Sequence, residues 1–231
     1  MKLLALDTTL GACSAAVACG NPSAPAVTGT YEFRERGHAE AIVPMIERVL
    51  ADASVGYQDM DAIAATTGPG SFTGVRVGIA TARGLALATD LPLIGMTSLE
   101  VMARAALDQL NEKPDVLGIA VDARRGEVYL ALYDEHGGPL SAPQALTPEQ
   151  ACTQLPKEGR VALCGSGAHL LRDFAAERAT LKAMLPDLQP DARVLARLAM
   201  DRESKGQTLH PLYLRSPDAK PQTGKAVPRR D

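Results

Sequence analysis

Asp7 and Asp122 each stand at the carboxyl end of an apolar run, in LLALDTT and GIAVDARRG. A carboxylate in that place can hold a metal-bound phosphate, because ligands of open α/β sheets gather at the carboxyl ends of strands; it can also accept the amides of its own turn. A third segment, CGSGAHLL from Cys164 to Leu171, sets a glycine turn between a strand and a helix. The fourth, GPGSFTGVRVGIATARG from Gly68 to Gly84, has the look of a phosphate cradle at a helix N-terminus. It fits neither nucleotide pattern. The sixth residue from Gly68 is Thr73 with no Lys after it, and Gly68, Gly70 and Gly74 give GxGxxxG instead of GxGxxG. Gly74, Gly78 and Ala82 instead recur every four residues, which puts them on one helix face. Such a face leaves a shallow groove for a second helix or for the protein's own sheet. Glycine inside a helix costs roughly 0.5–1 kcal/mol relative to alanine, so two of them imply a close contact in return.

The surrounding elements must position these groups. Lys2–Leu6, Cys13–Ala18 and Val27–Arg34 read as an antiparallel meander. In HAEAIVPMIERVLADA, Ile42, Met45, Ile46, Val49 and Leu50 follow helical spacing, with Pro44 expected in the first turn or at a kink. Ala62–Thr66 reads as a strand, Phe72–Thr89 as a helix, Leu93–Met96 as a strand, and Ser98–Leu110 as a helix with Ser98 as its N-cap. In the second half, Glu127–Tyr133 and Val161–Cys164 read as strands; Thr147–Leu155, Ala168–Glu177 and Asp191–Glu203 read as helices. The segment Leu4–Val17 aligns with Ile119–Leu132 at one constant offset, matching Asp7 to Asp122 and Gly11 to Gly126. That is the mark of a duplication: two lobes, each opening with a strand–turn–strand hairpin.

Composition narrows the function classes. The 231 residues are 46% apolar and lack Trp, with aromatics only 3%. Lys plus Arg number 24 against 27 Asp plus Glu, a net charge of −3, whereas a protein that grips nucleic acid alone usually carries a basic surplus. Cys13, Cys19, Cys152 and Cys164 show no CxxC spacing and read as reduced thiols. His38, His136, His169 and His210 are scattered singly and read as surface or structural residues. Asp7 interrupts the N-terminal apolar run too early for a signal peptide, and no run approaches the roughly 20 residues of a membrane span. The cytoplasm is the expected compartment. The tail from Ser216, SPDAKPQTGKAVPRRD, reads as disordered.

Two Asp-bearing hairpins facing each other, followed by a glycine turn, are how actin-like two-lobed ATPases and sugar kinases hold a magnesium nucleotide. The expected fold is therefore α/β, with two tandem actin-like (ASKHA, ribonuclease H-like) lobes at residues 1–110 and 111–215 and a tail at 216–231. Each lobe is expected to be a mixed sheet flanked by helices. Fold alone does not give activity. The sequence further resembles the TsaB (YeaZ) family, actin-like partner proteins in bacterial biosynthesis of threonylcarbamoyladenosine in tRNA. The resemblance runs through LLALDTT, GPGSFTGVRVGIATARGLALATDLPLIGMTSL, VDARRGEVYLALYD and PLYLRS.

The resemblance implies a non-catalytic subunit that pairs with the catalytic TsaD as a heterodimer and enables recruitment of TsaE. It implies a homodimer when the protein is alone, and contact with tRNA only through the complex. It places the partner interface on Ile42, Met45 and Val49 of one helix and on Gly74, Val75, Gly78, Ile79 and Ala82 of the next. TsaD carries an HxxxH metal motif where this chain reads GMTSLEVMA; Ser98 and Met102 stand at the histidine positions, so no metal is expected. No cofactor is expected either, beyond weak nucleotide binding at Asp7, Thr8, Thr9, Asp122, Gly165, Ser166 and Gly167. Two rivals remain: a small-molecule kinase built on the same aspartates, and a glycoprotease-type peptidase, for which Ser71 lacks the GxSxG elbow.

Overall fold

Small and branched apolar residues on both faces of a strand demand a layer on each side, and β1 (Lys2–Asp7) has them: all but its first residue are buried. It pairs antiparallel with β2 (Ala12–Cys19), which pairs antiparallel with β3 (Ala26–Phe33). On its other edge it runs parallel to β4 (Ala62–Thr66), and β4 runs parallel to β5 (Leu93–Met96). The second sheet repeats this plan with β6 (Val116–Arg124), β7 (Glu127–Asp134), β8 (Gln144–Leu146), β9 (Val161–Cys164) and β10 (Leu181–Met184). The strand orders are β3-β2-β1-β4-β5 and β8-β7-β6-β9-β10, so the duplication is visible in the topology. The computed structural model describes residues 1–172, 174, 181–202 and 208–215.

Side chains alternate across a strand, and β1 sends Leu4 and Leu6 to one core and Leu3 and Ala5 to another. The first core lies under α1 (His38–Asp52) and α2 (Phe72–Thr89). The second joins both sheets through α3 (Ser98–Gln109) and α6 (Ala192–Met200). A third core lies beneath α4 (Pro148–Gln154) and α5 (Ala168–Arg172), on the outer face of the second sheet.

Several sequence expectations change. Helix α1 runs through Pro44, which is exposed in the second turn, so the missing amide lies on the solvent side. Thr97, not Ser98, caps α3: its side chain accepts the Glu100 amide. Helix α6 packs on β1, β2 and β3 of the first sheet, where Ala16 and Ala18 leave room for it. Ser14 Oγ accepts the Ala192 amide at 2.9 Å and fixes the start of that helix. The expected continuations to Glu177 and Glu203, and the tail from Ser216, lie outside the described residues.

After α6 the chain crosses once more. Leu209 is buried against the first lobe, where its Cδ2 would sit 2.7 Å from a Cβ at Gly95. The Leu212 amide donates to the Thr67 carbonyl at 2.8 Å. Three residues on, Arg215 reaches the second lobe and donates to the Ala123 and Arg124 carbonyls, both at 2.8 Å, and to the Glu127 carboxylate. Residues 209–215 thus form a strap from the α2 side of the first lobe to the tip of the β6–β7 hairpin. Among the described residues no helix is long and apolar enough to cross a membrane.

Candidate functional site

The turn after β1 puts Thr8 and Thr9 beneath the glycine-rich segment, and Asp7 ends the strand just before it. A Cβ at Gly70 would overlap the Thr9 carbonyl oxygen, and one at Gly74 would overlap that of Thr8. The Ser71 amide donates to the Thr9 carbonyl at 2.8 Å, and Thr8 Oγ1 donates to the Gly74 carbonyl at 2.6 Å. At Gly78 a Cβ would stand 2.7 Å from Thr8 Oγ1. These glycines let α2 settle directly on the first turn. The groove at Gly74 and Gly78 is therefore filled from within the same chain, by Thr8 in the turn that follows β1, and not by a second helix.

The first aspartate is closed off as well. Asp7, Thr8 and Thr9 are all fully buried. Asp7 Oδ1 accepts from the Thr9 amide at 3.3 Å, from Thr9 Oγ1 at 2.7 Å and from Thr66 Oγ1. Its other oxygen, Oδ2, is buried with no hydrogen-bond partner among the described residues. Burial pushes the Asp7 carboxyl up to about 6, against the lowering pull of Thr66 and Thr9. A charged phosphate does not reach this fully buried carboxylate, which lies across from Ser14 on the face of the first sheet that the start of α6 covers.

The hairpin turn that carries Asp122 packs against the Gly165–Gly167 turn. Ser166 Oγ accepts the Asp122 amide at 3.1 Å, and the Gly167 amide donates to the Ala120 carbonyl at 2.9 Å. Gly165 takes a φ of +101°, which a side chain would strain, and a Cβ there would press on the Ala120 carbonyl at 2.5 Å. Asp122 Oδ1 accepts the Arg124 amide at 2.7 Å, and Oδ2 lies 3.5 Å from the Arg124 guanidinium. A cleft of about 970 Å³ runs between the lobes. Of the seven residues expected to hold a nucleotide, only Asp122 and Ser166 line it. Arg34 and Arg36, from the loop before α1, and His38, the first residue of that helix, line it too. Sequence reading missed them because nothing local marks such residues as facing a cleft.

The eight residues expected at the partner interface also lie inward. Ile42, Met45, Val49, Val75, Ile79 and Ala82 are core residues, and Gly74 and Gly78 are buried against Thr8. Their helical spacing marks the face that meets the sheet; the outward faces carry Val43 and Glu47 on α1 and Phe72, Arg76, Ala80 and Leu87 on α2. Ser98 and Met102 are buried as well, Ser98 Oγ donating to the Pro69 carbonyl at 2.5 Å. Among the described residues no three His, Cys, Asp or Glu side chains come together. Ser71 Oγ accepts the Gly74 amide at 3.0 Å as the N-cap of α2.

Over 228 residues the chain is 36% identical to the tRNA threonylcarbamoyladenosine biosynthesis protein TsaB of Escherichia coli (strain K12), covering 94% of this chain and 95% of that one. The chain belongs to the TsaB (YeaZ) family. The solved structures agree. A Pseudomonas aeruginosa protein described as similar to peptidase YEAZ superposes with a TM-score of 0.77 at 31% identity, covering 93% of this chain and 99% of that one. A family model for TsaD, tRNA N6-adenosine threonylcarbamoyltransferase, matches residues 32–184. The ADPNP-bound activator of 2-hydroxyisocaproyl-CoA dehydratase from Clostridium difficile shares the fold at a TM-score of 0.50 and 11% identity, covering 87% of this chain and 95% of that one. The family thus has a role in threonylcarbamoyladenosine biosynthesis on the two-lobed actin-like scaffold.

Proposed function

We propose that this chain is a non-catalytic subunit of the tRNA threonylcarbamoyladenosine machinery. It pairs with the transferase TsaD, helps to recruit TsaE, and meets tRNA only through that complex. The observation that carries this reading is the sealed first turn: Asp7, the carboxylate that an actin-like enzyme would aim at a nucleotide phosphate, lies fully buried, bonded to Thr9 and Thr66 on the face of the first sheet that the start of α6 covers. A chain that has closed half of its own phosphate site is suited to act through a partner. The outward faces of α1 and α2 supply a surface for this. Leu87 is 88% exposed and Phe72 59%, with Ala80, Gly84 and Ala88 also open on α2, and large exposed apolar side chains in one region mark an interaction site. The same surface would serve self-association when the partner is lacking. Any nucleotide would be held weakly, by the Asp122–Ser166 side of the cleft alone.

The test is reconstitution. Purified TsaD, TsaE and the enzyme that makes threonylcarbamoyl-adenylate are given unmodified tRNA with and without this chain, alongside size exclusion of its mixture with TsaD. The expected result is modification only when the chain is added, together with a co-eluting complex. ATP hydrolysis by the chain alone, lost in Asp122→Ala, would replace this reading with the kinase.

A further inference from the structure

Beside the start of α2 three side chains are locked into one exposed patch. The rings of Phe72 and Tyr213 stack with centroids 5.7 Å apart and planes 27° apart. The Arg76 guanidinium carbon lies 3.5 Å from the centre of the Phe72 ring, and Arg76 Nε donates to the Tyr213 hydroxyl at 2.7 Å. Phe72 is 59% exposed and Tyr213 47%, in a chain with only eight Phe and Tyr residues: three Phe plus five Tyr. Tyr213 comes from the strap, which is tied on one side through Leu212 to Thr67 and on the other through Arg215 to the β6–β7 hairpin. The patch is therefore set before anything binds. Aromatic and arginine side chains held in advance lose little freedom on association and are the types that dominate interface energies.

We propose that Phe72, Arg76 and Tyr213 form an anchor for a partner protein that presents a carboxylate amid apolar side chains, and that this partner is the transferase subunit. The inference rests on the reading under Proposed function and adds the strap to the docking surface. Arg76 uses only Nε within the protein, so among the described residues both of its Nη groups stay free to point a fork at a carboxylate. Helix α2 carries two cations, Arg76 and Arg83, and no acidic residue. The patch continues along α2 into the exposed Ala80 and Leu87, which is apolar ground for a protein and poor ground for a phosphate backbone.

The experiment measures binding of purified TsaD, and separately of an unmodified tRNA transcript, to the wild-type chain and to Arg76→Glu, Tyr213→Ala and Tyr213→Phe. The expected result is a Kd for TsaD raised at least tenfold by Arg76→Glu and by Tyr213→Ala, with thermal midpoints unchanged. Tyr213→Phe keeps the stacked ring and is expected to bind within a few-fold of wild type, and added salt should weaken the wild type more than Arg76→Glu. Equal TsaD binding by all four chains would overturn the anchor while leaving the subunit reading intact. Wild-type protein that does not bind TsaD would overturn both. Loss of tRNA binding in the variants, with TsaD binding unchanged, would assign the patch to RNA instead.

Discussion

Replacing Asp7 by Asn should change how stability depends on pH, by an amount that follows from the site. The folded-state carboxyl titrates at about 6, against an ordinary value of 3.8. A raised acid is held in its protonated form by the fold, so its ionisation works against folding. Stability from this group is present in full below about 3.8, is lost as pH rises, and reaches its floor above about 6. The total loss is about 3 kcal/mol, from roughly 2.2 pH units at about 1.4 kcal/mol each. At about pH 4.5 the ionisation term is about 1 kcal/mol and at about pH 7.5 about 3 kcal/mol. Asn can accept the same bonds from Thr9 and Thr66 through Oδ1, and its amide occupies the place of the partnerless Oδ2. A buried amide without an acceptor lowers the variant's stability by a fixed amount at every pH, so the difference between the two proteins isolates the ionisation. Urea unfolding of both chains across this range should show Asp7→Asn gaining about 2 kcal/mol on wild type between the two pH values. A difference that stays flat with pH would show that Asp7 keeps an ordinary pKa and is not sealed from water.

Other perturbations probe the rest of the fold. Gly74→Val forces a side chain into the Thr8 carbonyl and should cost about 3 kcal/mol or more, seen as a lower urea midpoint or loss of folded protein; a stable Val variant would refute the close contact of α2 with the first turn. Arg215→Ala removes the bonds to Ala123, Arg124 and Glu127 and should cost about 1–3 kcal/mol, with faster amide exchange confined to the hairpin tip. Leu87→Asp, on the most exposed part of α2, should leave the urea midpoint within about 0.5 kcal/mol of wild type and yet reduce co-elution with TsaD.

Much of the architecture could be read from periodicity. The alternation around Asp7 and Asp122, with the constant offset between their hairpins, foretold two sheets of one topology, because a repeated pattern of burial must be buried twice. The spacing of Gly74, Gly78 and Ala82 also foretold a close approach. It could not say what approaches, since a helix face of small residues is equally suited to a neighbouring strand and to a neighbouring protein. A similar ambiguity explains why Asp7 read as open: an aspartate ending a strand has one local sequence whether its far oxygen meets a phosphate or is buried beside the start of α6. Helix α6 was legible as a helix but not as a part of the first lobe. Its apolar face fits any sheet with room for it, and only the alanines of β2 and Ser14 decide which. The strap was invisible, because PLYLRS has no period, and its bonds join Arg215 to carbonyls some ninety residues away, at Ala123 and Arg124.

That strap alters the mechanics of the molecule. The main chain passes between the lobes twice at neighbouring places, after α3 and again just before α6, where Gln109 and Leu185–Gln189 border one cavity. Two adjacent connections make a hinge, free to swing about the line that joins them. Arg215 adds a third point of attachment away from that line, on the hairpin that borders the other cleft. Three points that do not share a line make a brace. A jaw has become a bracket, held at its third point by Arg215.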